Sequence, residues 1–193
     1  SEGILSSGIT TSHGIGVQVS IEVDGQLTSS WQGQSGRSLL PAVPECVSRA
    51  VHWAQVTQNP LNVESSAVET PVLLTSEGFS PLFSMVVPPA MTGEKMVRKE
   101  SFWSESMGKE VLNPTLSLYD DGLLNGGMSS GSRDAEGVPR RRQTLVENGT
   151  LSNMLWSTRD AAQQVAEGRI EEAFSTGSAS SGGHQSPPST GLH

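Results

Sequence analysis

The sequence predicts an α+β chain of antiparallel ribbons with a few short helices. Three observations lead there. Val17, Val19, Ile21 and Val23 alternate with Gln18, Ser20 and Glu22 and run into Asp24-Gly25, a period-two strand entering a tight hairpin turn. Val43, Val47, Ala50, Val51 and Ala54 fall on one face at three-to-four spacing, the pattern of an amphipathic helix. Asn148-Gly149 stands between two short runs that read as strands, with a helical stretch soon after, and Asn-Gly is the strongest short hairpin signal.

Taken in order, Gly3 to Trp31 reads as two or three strands, with Gln26 to Trp31 returning after the Asp24-Gly25 turn. Pro41 to Gln58 reads as a helix, with Pro44 in its first turn, where a missing N–H costs nothing. Asn59-Pro60 ends it, and Asn62 to Thr70 is a polar connector. The uncharged run Pro71 to Leu74 reads as a short buried strand. Glu77 to Val87 looks helical, stopped or kinked by Pro88-Pro89, with a second short helix from Pro89 through Gly93. The basic segment Lys95 to Lys99 leads to Ser101-Phe102-Trp103, and Gly108 marks a break. Leu116 to Tyr119 is a strand and Asp120 to Glu136 a glycine-rich loop. Gln143 to Val146 and Thr150 to Trp156 form the second hairpin. Thr158 to Glu172 is a helix that Thr158 can cap, and the Ser/Gly/Pro-rich tail from Ser175 reads as a loop or frayed end.

Composition sets bounds. The 193 residues fit one domain or two small ones. Only 34% are apolar, with 21 Gly and 11 Pro, so a loop-rich chain with a thin core is expected, completed by a neighbouring domain or subunit. The net charge of -8 argues against a general nucleic-acid binder, which needs a basic face. The single Cys46 excludes an internal disulfide framework and a multi-cysteine zinc site. No run approaches the length of a membrane span, and no signal peptide is recognised. The chain opens on Ser1 and reads as a piece of a longer protein.

The richest stretch runs from Ser117 to Gln164. Asp120-Asp121-Gly122 is followed by Asp134-Ala135-Glu136-Gly137-Val138-Pro139 and then by Gln143-Thr144-Leu145-Val146-Glu147-Asn148-Gly149-Thr150-Leu151. Ser157-Thr158-Arg159-Asp160-Ala161-Ala162 closes the block. Upstream stand Thr70 to Leu74, Arg98-Lys99-Glu100-Ser101-Phe102-Trp103 and Gly108-Lys109-Glu110-Val111. This order resembles the TldD/PmbA family, also called modulators of DNA gyrase or U62 peptidases. The resemblance covers most of the chain and is strongest over residues 95–162. It implies a TldD/PmbA-like fold lacking parts of the family's N- and C-terminal regions. Residues 1–60 would end the N-terminal α/β domain, 61–174 would begin the C-terminal domain, and 175–193 would be a flexible tail.

The resemblance also implies a cytoplasmic, zinc-dependent peptidase of two homologous subunits. One subunit type carries His-Glu-x-x-x-His on a helix, where two imidazoles hold Zn²⁺ and the glutamate serves as general base. In this chain that helix corresponds to Leu82 to Glu94, and the three motif positions fall on Ser84, Met85 and Pro89. None can serve as the motif requires. The chain therefore resembles the TldE/PmbA type, which lacks the metal site. It implies no catalytic residue, cofactor or metal ligand here, with zinc expected only in a TldD-type paralogous subunit. Activity in isolation is not expected. The partners implied are that subunit and an unfolded or extended peptide, in proteolysis or peptide maturation, with neither nucleic acid nor membrane.

Among the remaining signals, the candidate contacts for a peptide cleft or subunit surface are Gly126, Gly127, Ser129, Ser130, Arg133, Glu136, Arg140, Arg142 and His184. An ordinary long loop is the plainer reading. Arg140-Arg141-Arg142 alternates its directions on a strand and is expected to pair with Asp134, Glu136 or a partner's carboxylates rather than with phosphates. Asp120, Asp121, Asp134 and Glu136 read as turn carboxylates accepting local N–H groups, with a hard cation as the lesser reading. His52 reads as a solvated or half-buried imidazole. No Gly-x-Ser-x-Gly elbow supports a serine nucleophile. Two further functions stay open: an independent hydrolase with a non-zinc site, and a structural oligomer without peptidase activity.

Overall fold

A computed structural model describes residues 7–38, 43–62, 64–65 and 69–180. The chain divides into two compact units, one spanning Gly8–Leu73 and the other built on Leu74 onward.

In the first unit, β1 (His13–Val23) and β2 (Gln26–Gly36) pair antiparallel, with Val23 opposite Gln26 and His13 opposite Gly36. The turn between them takes positive φ at both central residues, 51° at Asp24 and 78° at Gly25, as a type I′ hairpin turn requires. Helix α1 (Val43–Val56) packs against this ribbon and buries Cys46, Ala50 and Ala54. The small side chains on that face let the helix approach closely. Ile15, Val17, Val19 and Ile21 are half-buried while their neighbours are exposed, so the period-two pattern reports a two-faced ribbon. On the exposed face the Trp31 ring lies across Gly33, where a Cβ would collide with it.

The second unit opens with α2 (Ser76–Ala90), capped by Thr75, whose hydroxyl accepts from Gly78 N at 3.2 Å. This helix runs through Pro88 and Pro89 rather than ending at Val87. The prolines fall in its last turn, and Met91 N closes that turn by donating to Val87 O and Pro88 O. No separate helix spans Pro89 to Gly93; instead α3 follows at Gly93–Val97. The run Pro71 to Leu74 is neither strand nor buried: Leu73 is 94% exposed. A lack of charge alone did not bury it, because it has no sheet partner.

The sheet is β3 (Leu118–Asp121), β4 (Arg142–Glu147) and β5 (Thr150–Leu151), antiparallel in that order. Asn148 and Gly149 form the second turn with φ 47° and 81°. The strand expected through Trp156 stops at Leu151, and Leu155 instead forms a parallel bridge to Thr92. Helix α4 (Thr158–Ala166) is capped by the Ser157 hydroxyl on Asp160 N at 3.0 Å, not by Thr158. It ends short of Glu172 because Gly168 adopts φ 70°. Arg169 N bonds Gln164 O and Gly168 N bonds Val165 O, the Schellman pattern that terminates helices.

The core lies where α2, α3 and the sheet meet. Met91, Leu145, Val146, Leu151 and Leu155 are fully buried there, with Ala90, Met96, Trp103 and Leu118 around them. Ser101 ties the following loop to the end of α2 by donating to Ala90 O at 2.7 Å. Among the described residues no helix is long and apolar enough to cross a membrane.

Candidate functional site

The long loop between β3 and β4 is built from its own polar groups. Asp121 Oδ1 accepts from Leu123 N at 3.0 Å, and Gly131 N returns to Gly122 O at 3.0 Å, closing the first half. The second half turns around Asp134, whose Oδ1 accepts from Glu136 N and Val138 N, both at 2.9 Å. Its Oδ2 accepts from Ala179 N at 3.0 Å. Glu136 reaches the start of α4, where Oε2 accepts from Thr158 N at 2.6 Å and Oε1 from Arg159 N at 3.1 Å. A carboxylate there satisfies orphan amides and faces the positive end of the helix dipole. Asp134 is thus the turn carboxylate its position in the sequence suggests, whereas Glu136 caps a distant helix instead of accepting local N–H groups.

The three arginines diverge. Arg140 lays its stem over Gly122 and donates from Nε to Arg133 O at 2.9 Å. Arg141 donates to the carbonyls of Ser175 and Thr176 at 2.6 and 3.2 Å. Arg142 approaches Asp121 at 3.8 Å and lies 4.6 Å from the centre of the Tyr119 ring. The expected pairing with Asp134 or Glu136 does not occur, because backbone amides already occupy both carboxylates.

The nine candidate contacts divide accordingly. Arg133 donates to Gly137 O at 2.6 Å, and with Glu136 and Arg140 it holds the loop in shape. Gly126, with φ 74°, and Ser129 sit at the exposed tip. Gly127 packs beside Ser130, leaving room for no more than the hydroxyl there. Arg142 lies apart, on β4 over Tyr119. His184 lies outside the described residues. His52 is exposed and meets Trp53 edge-on at 5.5 Å.

Sequence reasoning missed a buried polar cluster below the loop. Asp120 on β3 is 1% exposed. Its Oδ2 accepts from Gln143 Nε2 at 3.0 Å and from Ser178 Oγ at 2.9 Å. Ser178 also lies 3.1 Å from Thr176 Oγ1, which donates to Trp156 O at 3.0 Å. The tail expected to fray at Ser175 is packed as far as Ala179: Thr176, Ser178 and Ala179 are all buried. Only the alternation of β3 could have signalled this, since it turns Asp120 to the face opposite Tyr119 and Asp121. A serine-rich tail carries no cue that it will dock.

On α2, Ser84 and Met85 are exposed and Pro89 half-buried. From Gly78 to Gly93 the chain holds no His, Cys, Asp or Glu. Among the described residues no three such side chains gather into a metal site. A hydroxyl, a thioether and a pyrrolidine ring do not make a zinc donor set. Beside α2, Phe79, Phe83, Leu112, Leu116 and Leu118 line an uncharged hollow of about 310 Å³.

Residues 67–193 match the family model described as the PmbA/TldA metallopeptidase C-terminal domain. The metalloprotease PmbA of Escherichia coli O157:H7 is 28% identical over 163 residues, which cover 83% of this chain and 36% of that protein. The metalloprotease TldD homolog of Haemophilus influenzae is 26% identical over 162 residues, covering 80% and 34%. The crystal structure of TldE from Thermococcus kodakarensis superposes with a TM-score of 0.72 at 22% identity, over 94% of this chain and 39% of that one. This last likeness is one of fold. The chain spans only 36% and 34% of the length of those two curated relatives.

Proposed function

The chain belongs to the PmbA/TldD metallopeptidase family, and from that premise we propose that it is the metal-free subunit of a two-subunit zinc peptidase. The observation that carries this reading is Ser84, Met85 and Pro89 on α2, at the positions where the family's His-Glu-x-x-x-His would fall. This donor set does not fit zinc, so no step of hydrolysis is assigned to these residues. The metal and its general base belong to a TldD-type paralogue, which holds the water and the proton. That relatives include both a PmbA and a TldD homolog is in keeping with such a pair.

In this reading the chain contributes surface. Residues 1–60 close the family's N-terminal domain, and residues 61–174 open its C-terminal domain. The substrates are unfolded or extended peptides, which can add their backbone to an open strand edge. The exposed loop tip at Gly126 and Ser129, with the half-buried Ser130 beside it, offers amides and hydroxyls to the peptide or the paralogue. The complex works in the cytoplasm.

The test is co-expression with a paralogue bearing His-Glu-x-x-x-His, followed by purification through a tag on this chain. The paralogue should co-purify, and zinc and peptidase activity should appear only when it is present. Peptidase activity or stoichiometric zinc in this protein alone overturns the proposal.

A further inference from the structure

The cluster around Asp120 is an unusual way to bury a carboxyl group. The residue is 1% exposed, yet among the described residues no ion pair holds it. Both donors to its Oδ2, Gln143 and Ser178, are neutral. Its Oδ1 is buried and has no hydrogen-bond partner among the described residues. A charge buried without a paired cation is strongly disfavoured.

One of those donors arrives on a strap, Ser175–Ala179, that is fastened almost entirely by hydrogen bonds. Thr176 N donates to Trp156 O at 3.0 Å, and Trp156 N donates to Thr176 Oγ1 at 2.8 Å. Arg141 holds two strap carbonyls, and Asp134 holds Ala179 N. Ser178 is 0% exposed and bonds directly to Asp120. Gly177 takes φ 74° and crosses Pro139 O so closely that a Cβ would collide with it. Lifting this strap removes the donor that seals Asp120 and lets water reach the carboxyl group.

We propose that the Ser175–Ala179 strap is a proton-sensitive latch, docked while Asp120 is a neutral acid and loosened when Asp120 ionises. The charged groups around Asp120 are few. Arg140 favours its ionised form through space, and Asp121, its neighbour on β3, opposes it. Asp134 and Arg141 hold the strap itself, Arg142 is turned to Asp121, and the strap carries no titratable side chain. Burial is the largest influence. It pushes the Asp120 carboxyl above its ordinary value of 3.8, against the pull of Gln143, Ser178 and Arg140. Lifting the strap relieves part of that burial, so the docked form binds the proton more tightly than the undocked form. Docking is fully supported below the undocked value of Asp120 and loses support as the pH rises through the docked one.

Amide hydrogen exchange at Thr176 and Ala179, corrected for the intrinsic pH dependence of exchange, tests the latch. Opening should become about tenfold more favourable for each pH unit by which docking raises the Asp120 value. Asp120→Asn keeps an acceptor for Ser178 and Gln143 and cannot ionise, so protection at Thr176, whose amide bonds a carbonyl rather than a carboxylate, should not vary with pH. If that variant fails to fold, ¹³C NMR of the Asp120 carboxyl in the unmodified protein decides. Its midpoint should lie above 3.8 and coincide with the loss of strap protection. Protection that is constant through that midpoint, an unraised midpoint, or the same pH profile in Asp120→Asn overturns the proposal.

Discussion

Gly93 sits so close to the Trp156 indole that an added Cβ would overlap the ring. Trp156 is 2% exposed, wedged between the α2–α3 corner and the strap, and cannot step aside without disturbing both. Gly93→Ala is expected to cost at least ~2 kcal/mol, the range for overpacking a filled interior, read as a lowered midpoint in urea unfolding with unchanged slope. The carboxylates teach a different lesson at this scale. Asp134 was legible as a turn residue because an acid three residues before Gly137 has local amides to accept from. Glu136 as the cap of a helix 22 residues further on was not, since nothing local encodes that meeting. The arginines were misjudged for the same reason: a charge run shows that partners exist, not which ones.

Helix α4 shows what decides an element's limits. Its apolar positions, such as Ala161 and Val165, made the helix readable. Its start was set one residue early by the Ser157 hydroxyl, and its end by Gly168. Ser157→Ala should lower stability by ~1 kcal/mol through loss of the N-cap, and thermal melts of the two proteins measure it. Thr158→Ala should leave the melt nearly unchanged, since its side chain makes no cap bond. Helix α2 is the opposite case. Three prolines argue against fifteen helical residues, yet the helix persists. Pro88 and Pro89 lie in the last turn, where Met91 N supplies the closing bonds, and packing of Phe83, Val87 and Ala90 on the core holds the rest. Both type I′ turns were legible, because few residues accept two successive positive φ values.

At the scale of the whole molecule, the boundary between the two units at Leu73–Leu74 falls in exposed chain. Leu73 is 94% exposed and Val72 78%, which makes this stretch the natural site of first cleavage. Limited chymotrypsin digestion should cut there before it cuts at Leu145 or Leu151, both fully buried. N-terminal sequencing of the larger product should begin at or just after Leu74; a first cut inside the β3–β5 sheet would contradict the division. Within the second unit, Phe79, Leu82, Met85 and Val86 remain about half exposed or more on α2, so this helix keeps an apolar face that the described residues leave largely uncovered.

The sequence by itself determined the local forms: both hairpin turns at Asp-Gly and Asn-Gly, the presence of helices within 41–58 and 158–172 though not their ends, and the family through the order of its motifs. These depend on neighbours along the chain, where φ preference and side-chain period act directly. Only the tertiary structure decided that Ser178 would dock on Asp120, 58 residues away, that Arg141 would hold the strap, and that Leu155 would bridge to Thr92. A polar residue finds a buried partner through the route of the whole chain, and no local pattern records that route.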